Sequence, residues 1–249
     1  MILLKSEREI ALIDHAGTVL YQVLQLVNEA CQVGVRTREL DKLAEDFILK
    51  NDCKPAFKGY QGFPATLCIS INEEVVHGIP SSRKVKAGDL VSVDCGVVWE
   101  GYIADSAITI PVGDIPENHQ KLLDVTKESL YLGIEQARLG NHVRDISKAV
   151  QDCVEAAGFS VVRELVGHGV GREMHEEPQV PNYATPQRGP KLEEGMVIAI
   201  EPMVNLGDYR VRVKRDKWTI ETLDRKPSAH FEHTVAITKN GPRILTNAT

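Results

Sequence analysis

The first half of this chain is written again in its second half. The segment "VRTRELDKLAEDFI" at 35–48 is echoed by "NHVRDISKAVQDCV" at 141–154, with Arg38 and Arg144 in the same place. "HGI" at 77–79 returns as "HGV" at 168–170, and "GDLVSVD" at 88–94 returns as "GMVIAIE" at 195–201. The run "DSAITI" from Asp105 is matched by "EHTVAIT" from Glu232. Chance supplies one such echo; four in the same order argue for an internal duplication with pseudo-twofold symmetry. Two ordinary α/β units sharing turn signals would not keep that order. Each half runs helix, helix, strand, His-Gly loop, strand with acid, strand with acid. The expected fold class is α+β, a central antiparallel sheet with helices outside. It forms one domain over 1–249, with halves of about 1–112 and 113–249.

Composition narrows the partners. The 249 residues, 43% hydrophobic, suffice for a sizeable core, as one large domain or two small ones. Net charge is −6 and Lys and Arg are scattered without a basic block, so nothing suggests a nucleic-acid footprint. Lys5 and Glu7 interrupt the start too early for a signal peptide, and no uninterrupted apolar run approaches the ~20 residues of a membrane helix. Cys31, Cys53, Cys68, Cys95 and Cys153 form no CxxC pair, which suits reduced, mostly buried thiols in a cytoplasmic protein.

Ser6 with Glu9 reads as a capping box, and Ile10, Ile13, Ala16, Gly17, Leu20, Leu24 and Val27 recur behind it at helical spacing. That helix is expected to end near Gly34. A second runs from Thr37 to near Asn51, and two more cover about 117–139 and 143–157. Strands are expected in "TLCISI", "SVVREL", "GMVIAIEPMV", "YRVRVKRDKWTIETLD" and "AHFEHTVAITKNGPRIL". "NEEVVHGIP" and "VGHGVGREMHEEPQVPNYATPQRGP" read as loops.

In "VSVDCGVVWEGYIAD", at 91–105, Asp94 and Asp105 interrupt apolar strand sequence, where an unpaired buried carboxylate is very costly. A hairpin turning near Trp99–Glu100 puts them opposite or nearly opposite; directly opposed side chains have Cβ atoms ~5 Å apart. Two carboxylates so close cannot both ionise without a cation between them. The duplication makes Glu201 and Glu232 a second pair, and His168 the natural fifth ligand. Four carboxylates and an imidazole, with no thiolate, suit Mn, Fe, Co or Zn. Four negative charges balance two divalent cations, and two ions ~3.5–4 Å apart lower the pKa of a shared water toward neutrality. His77, the counterpart of His168, is left for another task. A lone Asp in a strand or a lone His-Gly pair is a weak signal; the repeat joins the five.

The motifs "HGIP", "DCGVVWEGYIADSA", "GHGVGREMHEEP", "IEPMV" and "FEHTVAIT" resemble the type I methionine aminopeptidases of the pita-bread fold, over nearly the whole chain. The short spacing from His168 to Glu201 leaves no room for the helical insert of the type II enzymes. With no zinc-finger extension, the chain is similar to the short bacterial form. The resemblance implies removal of the initiator methionine from nascent proteins and peptides with a small second residue. It implies that Asp94 binds one ion with both oxygens, that Asp105 and Glu232 bridge two ions, and that His168 and Glu201 complete the second. Glu201 would also handle the proton of the attacking water. His175 would hydrogen-bond the scissile carbonyl and its oxyanion. His77 would contact the amide nitrogen beyond the scissile bond, and the free substrate amine would bind at a metal. A cytoplasmic monomer working near the ribosome completes the implied picture.

The same resemblance places Tyr60, Phe63, Cys68 and Trp218 around a narrow apolar slot for the methionine side chain, with Met174 at its rim. Two positions depart from the pattern: Phe57 stands where close relatives carry Cys, and Met174 where some carry Phe. Altered affinity or inhibitor response, rather than lost activity, is the expected result. Asn72 and Ser228 match positions that hold a monovalent cation, Na or K, in relatives. Two other readings compete. A peptidase of the same fold acting at proline usually carries an extra N-terminal domain. A catalytically dead binding relative typically loses ligands, and all five are present here.

Overall fold

Two pairs of helices flank one large antiparallel sheet in the computed structural model, which describes residues 1–247. The helices are α1 (Glu7–Ala30), α2 (Thr37–Lys50), α3 (Glu117–Gln136) and α4 (Val143–Ala156). The first-half strands are β1 (Lys54–Pro55), β2 (Leu67–Ile71), β3 (Glu74–Val76), β4 (Leu90–Trp99) and β5 (Tyr102–Pro111). Next come β6 (Ser160–Val161), β7 (Gly167–Gly169), β8 (Glu176–Val180), β9 (Val197–Ile200) and β10 (Met203–Asn205). The chain closes with β11 (Val211–Val213), β12 (Ile220–Thr222), β13 (Ser228–His230), β14 (Glu232–Thr238) and β15 (Gly241–Ile244). The large sheet runs β1-β4-β5-β14-β9-β7-β8, with β2 beside β4 and β15 beside β14; β13-β10-β6 and β11-β12-β3 form two small sheets.

The Ser6–Glu9 capping box opens α1 as expected. The helix stops at Ala30 rather than near Gly34, because the Gly34 N–H has already turned away to the Val85 carbonyl. By length and composition alone α1 is long and apolar enough to cross a membrane. Polar residues punctuate the apolar stripe, so no single run of it is long. Ile13, Leu20, Val23 and Val27 bury that stripe in the core that covers β4 and β5.

The echoed helices are seated alike. Thr37 and Arg38 donate their N–H groups to the carbonyls of Arg83 and Ser81, each at 3.0 Å. Val143 and Arg144 donate to Pro190 and Arg188, at 3.0 and 3.1 Å. Glu39 and Asp145 each accept the N-cap N–H of their own helix at 2.8 Å.

Glu100 (φ 46°) and Gly101 (φ 80°) form the two-residue turn between β4 and β5, with the left-handed backbone that matches strand twist. The turn lies one residue later than the sequence suggests. It pairs Asp94 with Ala107 and Gly96 with Asp105. The two acids are therefore diagonal neighbours on one face rather than directly opposed. Other strands also differ from expectation. "SVVREL" keeps only Ser160–Val161, and "YRVRVKRDKWTIETLD" folds into the β11–β12 pair. "GMVIAIEPMV" breaks at Glu201–Pro202, where proline has no N–H for the ladder. The expected loops contain β3, β7 and β8.

Candidate metal centre

Ala107 lies between two acids. It is the cross-strand partner of Asp94 on β4 and of Glu232 on β14. Cross-strand partners share a face, and Asp105, two residues along β5, shares it too. Glu201 follows directly after β9, whose last residue, Ile200, pairs with His233. Strands β4, β5 and β14 and the end of β9 thus bring four carboxylates to one pocket. The Thr234 hydroxyl ties β5 to β14 at this point, accepting from the Asp105 N–H at 2.9 Å and donating to its carbonyl at 2.8 Å.

Ligand atoms of Asp105, His168 and Glu232 all lie within 4.8 Å of one another. His168 Nδ1 is 3.0 Å from the Gly169 carbonyl oxygen, which can only accept, so the ring hydrogen sits on Nδ1. The bare Nε2 lone pair then faces Glu201 Oε1 at 3.5 Å and Asp105 Oδ2 at 3.9 Å. Asp94 Oδ1, Asp105 Oδ1 and Glu232 Oε1 are buried without a hydrogen-bond partner among the described residues. Lone pairs facing lone pairs in a dry place need protons or a cation between them. This donor set, mostly hard oxygen with one imidazole, fits divalent cations.

The electrostatics of the cluster point the same way. Burial pushes Asp94, Glu201 and Glu232 well above the usual carboxylate range, with the Asp105 charge adding to each. Burial raises Asp105 to about 7, offset in part by its hydrogen bond with Asp94. Burial also lowers His168 to about 4, keeping its lone pair free.

Both His-Gly pairs have one steric cause. A Cβ on Gly78 would lie 2.1 Å from the Ile69 carbonyl oxygen, and one on Gly169 would lie 2.3 Å from that of Glu177. His77 itself adopts a left-handed backbone (φ 60°), a strained choice for a non-glycine residue that recurs at functional sites. Burial and the nearby His175 hold its ring at about 4.

The expected cleft residues gather at the same place: Tyr60, Phe63, Cys68, Met174, His175 and Trp218 line one pocket with His77, Asp94, Asp105, His168, Glu201 and Glu232. Cys68 is the β2 partner of Asp94, which sets this wall beside the acids. Phe63 and Trp218 meet edge to face at 5.1 Å. A Cβ on Gly96 would meet Phe57 Cε1 at 2.8 Å and Met174 Cε at 3.1 Å, so the two departing residues touch the same small gap. The His175 ring stands edge-on to His168 at 4.4 Å.

Asn72 and Ser228 come together outside this pocket. The Ser228 N–H donates to the Asn72 carbonyl at 2.9 Å. Asn72 Oδ1 accepts from the Leu90 N–H, and the Ser228 hydroxyl donates to the Val204 carbonyl.

Three features escaped the sequence reading. The Tyr60 hydroxyl bonds His175 Nδ1 at 2.8 Å, so Tyr60 holds a histidine as well as lining the slot. Buried Lys5 bonds Glu176 and anchors the segment that carries His175. His230, in "AHFEH", is buried with its Nε2 3.7 Å from Glu201 Oε2. Its position two residues before Glu232 was the available signal.

A duplicated antiparallel sheet that collects acids and one imidazole beside an apolar slot defines a metallopeptidase of the pita-bread fold. Residues 11–239 match metallopeptidase family M24, and the chain belongs to that family. It is 54% identical over 246 residues to a methionine aminopeptidase of Clostridium perfringens, covering 99% of both chains. It is 50% identical over 246 residues to methionine aminopeptidase 1 of Bacillus subtilis, again covering 99% of both. The crystal structure of a methionine aminopeptidase from Thermotoga maritima matches with a TM-score of 0.97 at 46% identity, covering 99% of this chain and 100% of that one.

Proposed function

We propose that this chain is a methionine aminopeptidase, a hydrolase that removes N-terminal methionine from nascent proteins and peptides with a small second residue. The reading is carried by the convergence of Asp94, Asp105, His168, Glu201 and Glu232 on one face, beside an apolar slot. Relatives named for that activity match 99% of the chain.

Asp94, Asp105 and Glu232 would hold two divalent cations, with His168 and Glu201 completing the second. When bound, such ions supply Lewis-acid activation of water and of the scissile carbonyl. Glu201 takes a proton from water on a carboxylate oxygen and passes it on toward the leaving amine. With the Tyr60 hydroxyl, 2.8 Å away, as donor to His175 Nδ1, the ring hydrogen would sit on Nε2. Burial keeps that ring neutral, so Nε2–H is a donor for the carbonyl oxygen and the oxyanion it becomes. His77 contacts the amide nitrogen on the leaving side. Tyr60, Phe63, Cys68, Met174 and Trp218 enclose the thioether and exclude water. A monovalent cation, Na or K, would use backbone carbonyls near Asn72 and Ser228. The proposed unit is a single catalytic domain of two related halves, a monomer acting in the cytoplasm near the ribosome.

The test strips the protein of metal, restores Mn, Co, Fe or Zn in turn, and follows Met-Ala-Ser beside a Xaa-Pro peptide. Turnover of Met-Ala-Ser supports the proposal and names the working metal. Cleavage of the proline peptide alone replaces it with a proline-directed peptidase. Tight metal binding with no turnover of either points to a binding protein.

A further inference from the structure

His230 is anchored at its backbone and unsatisfied at its ring. Its N–H and its carbonyl both bond one atom, Thr109 Oγ1, at 2.9 and 2.8 Å. That hydroxyl is in turn 2.9 Å from Ser92 Oγ, so β13 is pinned against β5 and β4 at this residue. The ring is 1% exposed, and neither Nδ1 nor Nε2 has a hydrogen-bond partner among the described residues. A buried donor left unmade is costly, and most such groups in folded proteins find a partner. The polar atom facing Nε2 is Glu201 Oε2, at 3.7 Å.

Glu201 needs such a partner. It lies outside regular strand structure, followed by Pro202, and its carbonyl is held by the Asn182 side chain at 2.9 Å. Its Oε1 faces His168 Nε2 at 3.5 Å, which leaves Oε2 to be oriented from the other side. We propose that His230 is a positioning residue for Glu201: its Nε2–H donates to Oε2 and fixes the carboxylate plane while Oε1 faces the metal centre. The backbone anchor makes this a rotation of the side chains alone, and about 0.5–0.8 Å of closure brings the pair from 3.7 Å to hydrogen-bond length. The inference rests on the proposed function only in giving Glu201 its role as ligand and base.

The experiment compares the parent with His230→Leu, His230→Phe and His230→Gln. Metal titration by calorimetry is read beside kcat and KM for Met-Ala-Ser. Partners that orient a ligand typically change affinity or activity by about 10–100-fold. The apolar variants should lose second-ion affinity and kcat by about that factor, with KM within about twofold. His230→Gln, which restores an N–H donor, should recover both to within about threefold. Parent-like ion binding and kcat in a folded apolar variant overturns the proposal. If both apolar variants fail to fold, His230→Gln decides alone, and a loss beyond about tenfold overturns it. Failure of the parent to bind ions or cleave the peptide would instead count against the proposed function.

Discussion

Ala107 stands directly across from Glu232 in the β5–β14 ladder and shares a sheet face with it. Asp94 pairs with the same residue from the other side. Leucine there would fill the space between the acids without removing a ligand. Ala107→Leu should abolish binding of the divalent ions and lower turnover by more than about 100-fold, at a stability cost of about 1–3 kcal/mol. Calorimetric titration with Mn or Co, beside thermal melts, measures both. Parent-like binding of two ions would show that the acids do not converge over Ala107.

The metal-free protein should become less stable as pH rises. Asp94, Asp105, Glu201 and Glu232 keep their protons to higher pH in the fold than in the unfolded chain, Asp105 to about 7 and the others beyond the usual range. The native state then binds more protons, so stability falls as pH climbs from about 4 through those raised values. His77, His168, His230 and His233 shift the opposite way, to about 4, 4, 3 and 4, and weaken the fold as pH drops below the usual imidazole range. The two sets oppose each other below about pH 6.5, and above it the raised carboxyls act. The melting temperature without metal should therefore decline across that upper window. Saturating divalent cation should remove the decline by taking the place of the protons. A flat or rising metal-free curve contradicts the burial of these four acids.

Tyr60 and His175 should separate binding from chemistry. His175→Ala removes the proposed donor to the oxyanion, and loss of one such donor costs about 10²–10³ in kcat. Tyr60→Phe keeps the ring in the slot but drops the hydroxyl that orients Nδ1. Its kcat should fall by about 10-fold, with KM for Met-Ala-Ser nearly unchanged. Ion binding should be unaffected in both variants, because neither side chain is a ligand. A rise in KM with kcat intact would return Tyr60 to a wall of the slot and nothing more.

The repeat made most of this legible. The Gly-to-acid spacing of 88–94 and 195–201 singled out Asp94 and Glu201, and the His-Gly echo singled out His168, all of which line the one pocket. What stayed hidden depends on distances of one residue or one side chain. The β4–β5 turn sits at Glu100–Gly101 because both can be left-handed, and that single step makes Asp94 and Asp105 diagonal. Periodicity cannot see it. Nor can it see Tyr60 reaching His175, which is 115 residues away. His230 was hidden for a different reason: a histidine in an apolar strand is ordinary until its ring is found without a partner.

Phe57 and Met174 should prove to be one adaptation rather than two. Both crowd the gap over Gly96, so a change in the bulk of either is felt by the other. Met174→Phe sets a second rigid ring against Phe57 and should raise KM for Met-Ala-Ser by several-fold through overpacking. Phe57→Cys leaves a void in the same wall and should loosen the hold on the thioether. Phe57→Cys with Met174→Phe exchanges large and small across the gap. Contacting residues show coupling energies of about 0.5–3 kcal/mol, so the pair should do markedly better than the sum of the singles. The measurement is KM, and Kd for a methionine-mimicking inhibitor, across the four proteins. Additive effects would mean that the two side chains shape separate parts of the slot.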